Sequence, residues 1–519
     1  MRRPVLLFGP SALALALSAC TASDGGKAAA TDSSTDAATP DSGEPTPFSY
    51  PEPEAMPPWR GPAGPAVSFG EEQLFVNCAR LDGGERSFHH HNLVTTYRGH
   101  LVLPWAPEFG QGGLSFFDMS DPCSPVKVGE GFHERMRESH AIGFLHLPEG
   151  EPHAGDYAVV TGILGIQMWD LSVLETPEMI NYLEIEGVLY PDAYARVVLS
   201  VFWQHPWLYV AGADNGIYVL NTEDPRNPEL VTTLPLDGLR AGGIFALGDL
   251  LMVTAAEGAQ VQLLDIGDPA NPQPIPGGRF TLTDQTGESV EAYHANLSGD
   301  LALFARKEGG GGFIAWDISD PTNPTYRTEG YTTANGGYVF YDEGYIFVGD
   351  SDIAHIFDAR DLDAVELLGT GDIPGDLDTI TPYGNVAVLS VDDDAEDNLA
   401  SAVMPWSAEP DTTPPAVMRI RPVDGATGVA PTARIGVGLT EFVEPSSVFA
   451  GSIRLWHEDG SAVDGWGSGQ EAIASFAPKE PLEAGVTYTV EVMAGGLRDL
   501  NNNALAETVT TSFTVAGGR

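Results

Sequence analysis

The 519-residue sequence predicts an all-β protein, a β-propeller of about seven blades followed by a β-sandwich. Three observations lead there. One phrase recurs six times through the middle of the chain, at spacings of 41 to 52 residues. Short apolar strands flank every copy. The composition then changes at SAEPDTTPPAV, and alternating apolar and polar segments run on from there.

The phrase reads GGLSFFDMSDPCSPVKVG from Gly112, LGIQMWDLSVLETPEMINY from Leu164 and NGIYVLNTEDPRNPELVTT from Asn215. It returns as AQVQLLDIGDPANPQPIPG from Ala259, GGFIAWDISDPTNPTYRTEG from Gly311 and DIAHIFDARDLDAVELLGTG from Asp352. Its anchor residues are Asp118, Asp170, Asn221, Asp265, Asp317 and Asp358. Each copy has a physical reading. The apolar run is a strand, and the Asp or Asn accepts backbone N–H bonds and starts a turn. Asp-Pro-x-Asn-Pro makes a corner outside the ladder, because Pro lacks an N–H and fixes its own φ. A further strand follows, and two more precede the phrase. Four strands per unit cannot bury both faces alone, so the units must stack. The last unit, GDLDTITPYGNVAVLSVDDDAEDN, keeps its first strands and lacks the phrase. The early segment EEQLFVNCAR, from Glu71, is the expected partner that closes the ring and removes its edges. Six and eight are the neighbouring blade counts.

These units resemble the LVIVD repeat of bacterial and archaeal surface proteins, over about residues 70–408. The Gly311 copy lies closest to that pattern. The Leu164 copy inserts Val173, Leu174 and Glu175 before its Thr-Pro, and the Asp352 copy lacks both prolines. After the Pro410, Pro414 and Pro415 hinge, the segments VMRIRP, ARIGVGLT, SIRLWH, AIASFAP, TYTVEVMAG and TSFTVAG carry the period of two expected of a sandwich. Asp411–Pro415, Pro422–Val429, Thr440–Pro445 and Leu497–Leu505 resemble a bacterial Ig-like domain of the surface-layer type, with Asn502 where that family usually has Gly. The resemblance implies a spacer or adhesion module.

The N-terminus has Arg2 and Arg3, an apolar run to Leu17 and small residues before Cys20, the layout of an export signal. Leu17-Ser18-Ala19-Cys20 resembles a bacterial lipobox, which implies a lipidated Cys20. With Thr21 next, the family's sorting habit implies the outer membrane. Residues 21–65 are rich in Ala, Ser, Thr, Asp, Gly and Pro and read as a tether. The expected organisation is therefore a signal peptide over 1–20, a tether over 21–65, the propeller over 66–408 and the Ig-like sandwich over 409–519. With 73 acidic against 25 basic residues, and a net charge of -48, the chain is ill suited to nucleic acid or to anionic lipid headgroups. Its expected contact with the membrane is the lipid anchor alone, and it is expected to be a monomer. Beyond Cys20, Cys78 and Cys123 remain as a disulfide candidate, two buried thiols being the alternative.

Candidate chemistry is sparse. HExxH, CxxC, GxSxG and P-loop patterns are absent from the sequence. In a propeller the first strands line the channel, so His90, His140 and His294 can meet near the axis with Glu138 or Asp378. That set would suit a transition metal, or would serve as a hydrogen-bonded plug. The acidic run holding Asp392 and Asp394 offers oxygen ligands for calcium without EF-hand spacing, as do Asp499, Asn501 and Asn503. A divalent cofactor, calcium or a transition metal, is therefore the expectation to test. The leading functional expectation is a non-catalytic, surface-exposed lipoprotein whose propeller binds a protein or polysaccharide. A metal-dependent hydrolase and a purely structural envelope protein are the alternatives.

Overall fold

The computed structural model describes residues 48–53, 65–81, 94–107, 110–191, 194–307, 310–392, 395 and 399–518. Cys20, His90, Asp394 and most of the expected tether lie outside the described residues.

The repeat region folds into antiparallel four-stranded sheets. Six stand alone, and a further four strands form half of an eight-stranded sheet. In chain order their first strands are Thr95–Tyr97, Gly143–Leu147, Ser200–Gln204, Ala241–Leu247, Ala292–Ser298, Val339–Asp342 and Thr379–Tyr383. These strands are almost wholly buried, and neighbouring sheets pack through them in a propeller-like arrangement. The seventh sheet takes its outermost strand from the other end of the region, where Ala79–Leu81 pairs with Ser401–Val403. That strand starts later than the sequence reading placed it, since Glu71–Gln73 forms a 3-10 turn. Cys78, just before the closing strand, is disulfide-bonded to Cys123 in the corner of the first sheet, with Cα atoms 5.0 Å apart.

The recurring phrase supplies each third strand and its corner. In all six copies the anchor side chain accepts the N–H two residues on: Asp118 from Ser120, Asp170 from Ser172, Asn221 from Glu223, Asp265 from Gly267, Asp317 from Ser319 and Asp358 from Arg360, at 2.7–3.2 Å. A second acid repeats the device in Asp121, Asp224, Asp268, Asp320 and Asp361. Two successive Asx turns satisfy the corner's donors without a ladder, which is how the chain leaves one strand and enters the next. The Asp361 turn forms without the prolines, and the Leu164 copy turns with Thr176-Pro177 in place of a second Asp, so neither feature alone is required.

The C-terminal region is a two-sheet sandwich. One sheet orders Val417–Arg421, Ile435–Leu439, Ile473–Pro478 and Gly465–Gln470, and the other orders Ala426–Val429, Val509–Val515, Thr487–Val492 and Ile453–Trp456. Ile435, Val437, Phe476, Val490 and Phe513 fill the space between them. Asn502 has φ +70°, a left-handed position that Asn tolerates and Gly usually fills.

The sandwich and the propeller are joined by contacts in or just after every first strand. Glu444, fully buried, accepts from Thr96 Oγ1 and from the Arg98 N–H. Gly469 pairs with Phe144 and merges two sheets. Gln470 meets Trp203. Arg421 pairs with Asp249, and Ser298 donates to the Leu439 carbonyl. The Glu343 N–H donates to the Thr440 carbonyl. At Gly384 a Cβ would lie 2.3 Å from Asn501 Nδ2. The expected hinge at Pro410–Pro415 therefore leads straight into a continuous interface. Part of the expected tether is placed on the sandwich. Tyr50 donates to the carbonyls of Leu455 or Val463 and stacks edge-on against Trp456, so Phe48–Pro53 lies on the sandwich.

Candidate metal centre and channel cluster

Asp411, Glu441 and Asp499 each bring one carboxylate oxygen within 4.8 Å of the other two, and the group could hold a divalent metal. They come from three places. Asp411 opens the segment entering the sandwich, and its Oδ1 caps the Thr413 N–H. Glu441 follows the strand Ile435–Leu439. Asp499 sits in the loop before the last strand, where Oδ1 accepts the N–H groups of Asn501 and Asn503 and Oδ2 accepts from Asn503 Nδ2 at 2.7 Å. Asn501 and Asn503 thus serve as donors that orient Asp499. Glu441 is 3% exposed, and its Oε1 has no hydrogen-bond partner among the described residues.

Two further acids, Asp342 and Glu343, stand at the turn of the sixth propeller sheet, near enough to repel the group. Burial raises the Glu441 carboxyl well above its usual range, with Asp342, Asp499, Glu343 and Asp411 adding repulsion. Burial likewise pushes Asp499 up to about 8 and Glu343 up to about 7, and it raises Asp342 and Asp411. Among the described residues no Lys, Arg or His forms an ion pair with any of the five. From the sequence, Asp499 is a candidate calcium ligand, while Asp411 and Glu441 stand only as pieces of a family pattern. Their convergence depends on contacts that are distant along the chain.

The channel residues also come together in part. His140 Nε2 lies 3.0 Å from Glu138 Oε1, and the Tyr293 hydroxyl is 3.3 Å from the same nitrogen. The Tyr338 ring lies between the two described histidines, 5.7 Å from His140 and 4.3 Å from His294. Burial, then the neighbouring His140, holds His294 well below its ordinary pKa, so it is neutral. Asp378 is raised by burial and by Asp392 and Asp376, while Lys307 opposes the rise. Asp392 therefore belongs beside the channel cluster. Among the described residues the histidines do not form a three-ligand set with any acid. His205 is buried between Trp203 and Trp466, the second a residue of the sandwich, and burial pushes it down to about 3.

No curated protein matches the chain. Among solved structures it is similar to the periplasmic gluconolactonase PpgL of Pseudomonas aeruginosa, at 10% identity over 53% of this chain and 82% of that one, with a TM-score of 0.43. It is also similar to BamB from Moraxella catarrhalis, at 13% identity over 60% and 86%, TM-score 0.37. A third is Sqt1 from Chaetomium thermophilum, at 11% identity over 60% and 82%, TM-score 0.41. Residues 411–515, which carry all three members of the carboxylate group, match the family described as the bacterial Ig-like domain.

Proposed function

We propose that this chain is a non-catalytic binding scaffold of the cell envelope. In this reading it is exported, lipidated at Cys20 and held at the outer membrane. A seven-bladed propeller of LVIVD-type repeats presents one face to a protein or polysaccharide partner. The observation that carries the reading is the set of sandwich contacts in or just after every first strand. That face of the ring is committed to an internal contact, so recognition falls to the opposite face, near His140, Tyr293 and Tyr338. The Asp411, Glu441 and Asp499 oxygens form an all-oxygen donor set, which suits calcium better than a transition metal that favours imidazole or thiolate. Calcium there has a bracing role in this reading, remote from the recognition face.

The test is a binding screen of the mature chain against purified envelope polysaccharides and outer-membrane proteins. It runs beside hydrolysis assays on ester, lactone and glycoside substrates, with and without added zinc. Saturable binding without turnover supports the scaffold. Zinc-dependent turnover that disappears in His140→Ala and His294→Ala overturns it in favour of a hydrolase.

A further inference from the structure

We infer that the carboxylate cluster is a cation clamp between the two domains, in which Asp342 and Glu343 of the propeller act with Asp411, Glu441 and Asp499 of the Ig-like domain to make their docking calcium-dependent. The inference rests on the proposed calcium occupancy of the three sandwich carboxylates and extends it across the interface.

Calcium holds oxygens at about 2.3–2.6 Å, so two ligands on one ion stand at most about 5 Å apart. The mutual spacing of the three oxygens, all within 4.8 Å, fits that limit. Glu441 gives an independent sign. A carboxylate that is almost fully buried, with an oxygen lacking any partner, is costly unless a cation or a proton neutralises it. Asp499 is already oriented by three donors from Asn501 and Asn503, the outer-shell support that fixes a ligating carboxylate.

The propeller's contribution follows from its sixth sheet. Val339–Asp342 and Tyr345–Val348 are joined by the two-residue turn Glu343-Gly344, both with positive φ, 46° and 88°. This turn is anchored to the sandwich by the Glu343 N–H, which donates to the Thr440 carbonyl at 2.9 Å, one residue before Glu441. The Glu343 side chain reaches Thr413, two residues beyond Asp411. Asp342 is close enough to repel Asp411, Asp499 and Glu441. Three converging acids of the sandwich thus face two acids of the propeller turn docked beside them. Without a cation they repel across the interface, and with one they attract through it.

The experiment uses the full chain freed of metal with chelator and titrated with calcium chloride by calorimetry, with hydrogen exchange read at 339–348 and 438–444. Wild type should bind about one calcium with a Kd on the order of 10⁻⁴–10⁻³ M, the range of extracellular modules. Glu441→Gln should abolish binding. The pair Asp342→Asn and Glu343→Gln should weaken binding by about tenfold or more, as loss of supporting ligands does, and calcium should no longer slow exchange in both segments together. Each substitution removes a repulsive charge, so equal or higher metal-free Tm values are expected and serve as the folding control. If wild type binds no calcium, the occupancy and the clamp both fall. If Glu441→Gln abolishes binding while the propeller pair leaves affinity and exchange unchanged, the site stands and the clamp is overturned.

Discussion

Gln470 of the Ig-like domain hydrogen-bonds in both directions to one propeller strand, its Oε1 accepting the Trp203 N–H at 3.0 Å and its Nε2 donating to the Val201 carbonyl at 2.8 Å. The side-chain amide stands in for a strand's backbone. It satisfies two buried groups of Ser200–Gln204 that would otherwise lack partners. Gln470→Ala should cost about 2–6 kcal/mol, because two buried backbone groups are left unpaired at about 1–3 kcal/mol each. Denaturant unfolding checks it. A loss near zero would mean that water replaces the amide and that the hairpin tip is not a tight contact.

The same hairpin carries a pH dependence. Glu471, 4% exposed, projects from a left-handed turn position, φ 53°, and accepts from Asn296 Nδ2 at 2.8 Å. Burial pushes its carboxyl up to about 8, from an ordinary value of 4.5. The folded state therefore binds the extra proton between those values. Its stability is fully present below about 4.5 and falls as pH rises toward about 8, by a few kcal/mol in total. Glu471→Gln should flatten that alkaline decline, measured as ΔG of unfolding from pH 5 to pH 9. An unchanged slope would contradict the assignment.

His205 acts on the acid side. Burial lowers its pKa from 6.5 to about 3, so the unfolded chain takes up the proton first. Stability is intact above about 6.5 and declines as pH falls toward 3. His205→Phe, which keeps a ring between Trp203 and Trp466, should remove that part of the acid loss. Equal acid profiles for the two proteins would show that other groups set it.

Cys78–Cys123 ties the ring-closing strand to the first sheet across a sequence separation of 45. In the chain-entropy account, cross-linking a loop of that size stabilises by about 4 kcal/mol. Cys78→Ser with Cys123→Ser should therefore lower Tm and open cleavage sites around Ala79–Leu81 in limited proteolysis. Uniform resistance would mean that strand pairing with Ser401–Val403 suffices for closure.

The repeat was legible because it is local. The six anchors at Asp118 through Asp358 each bond to a residue two places on, so a single stretch of sequence contains the whole device. Propeller closure was legible as a need, since the last unit lacked a strand. Its position was displaced because Glu71–Gln73 takes a 3-10 turn first. Neither the face-on docking of the Ig-like domain nor the carboxylate cluster could be read. Arg434, buried at 2% exposure, shows why. It donates to Gln204 Oε1 and to the Ile266 carbonyl, partners 230 and 168 residues away, and nothing in ARIGVGLT marks it as interior. Proline content at 410–415 signalled a boundary in composition, while the physical boundary is bridged by side chains on both sides.

Propeller and Ig-like domain form one unit, in which one face of the ring is committed to internal contact. Differential scanning calorimetry of the full chain at pH 6 tests this. A single cooperative transition, which splits or shifts downward in Gln470→Ala, is the expected result. Two well-separated transitions in the unaltered protein, unmoved by that substitution, would contradict it.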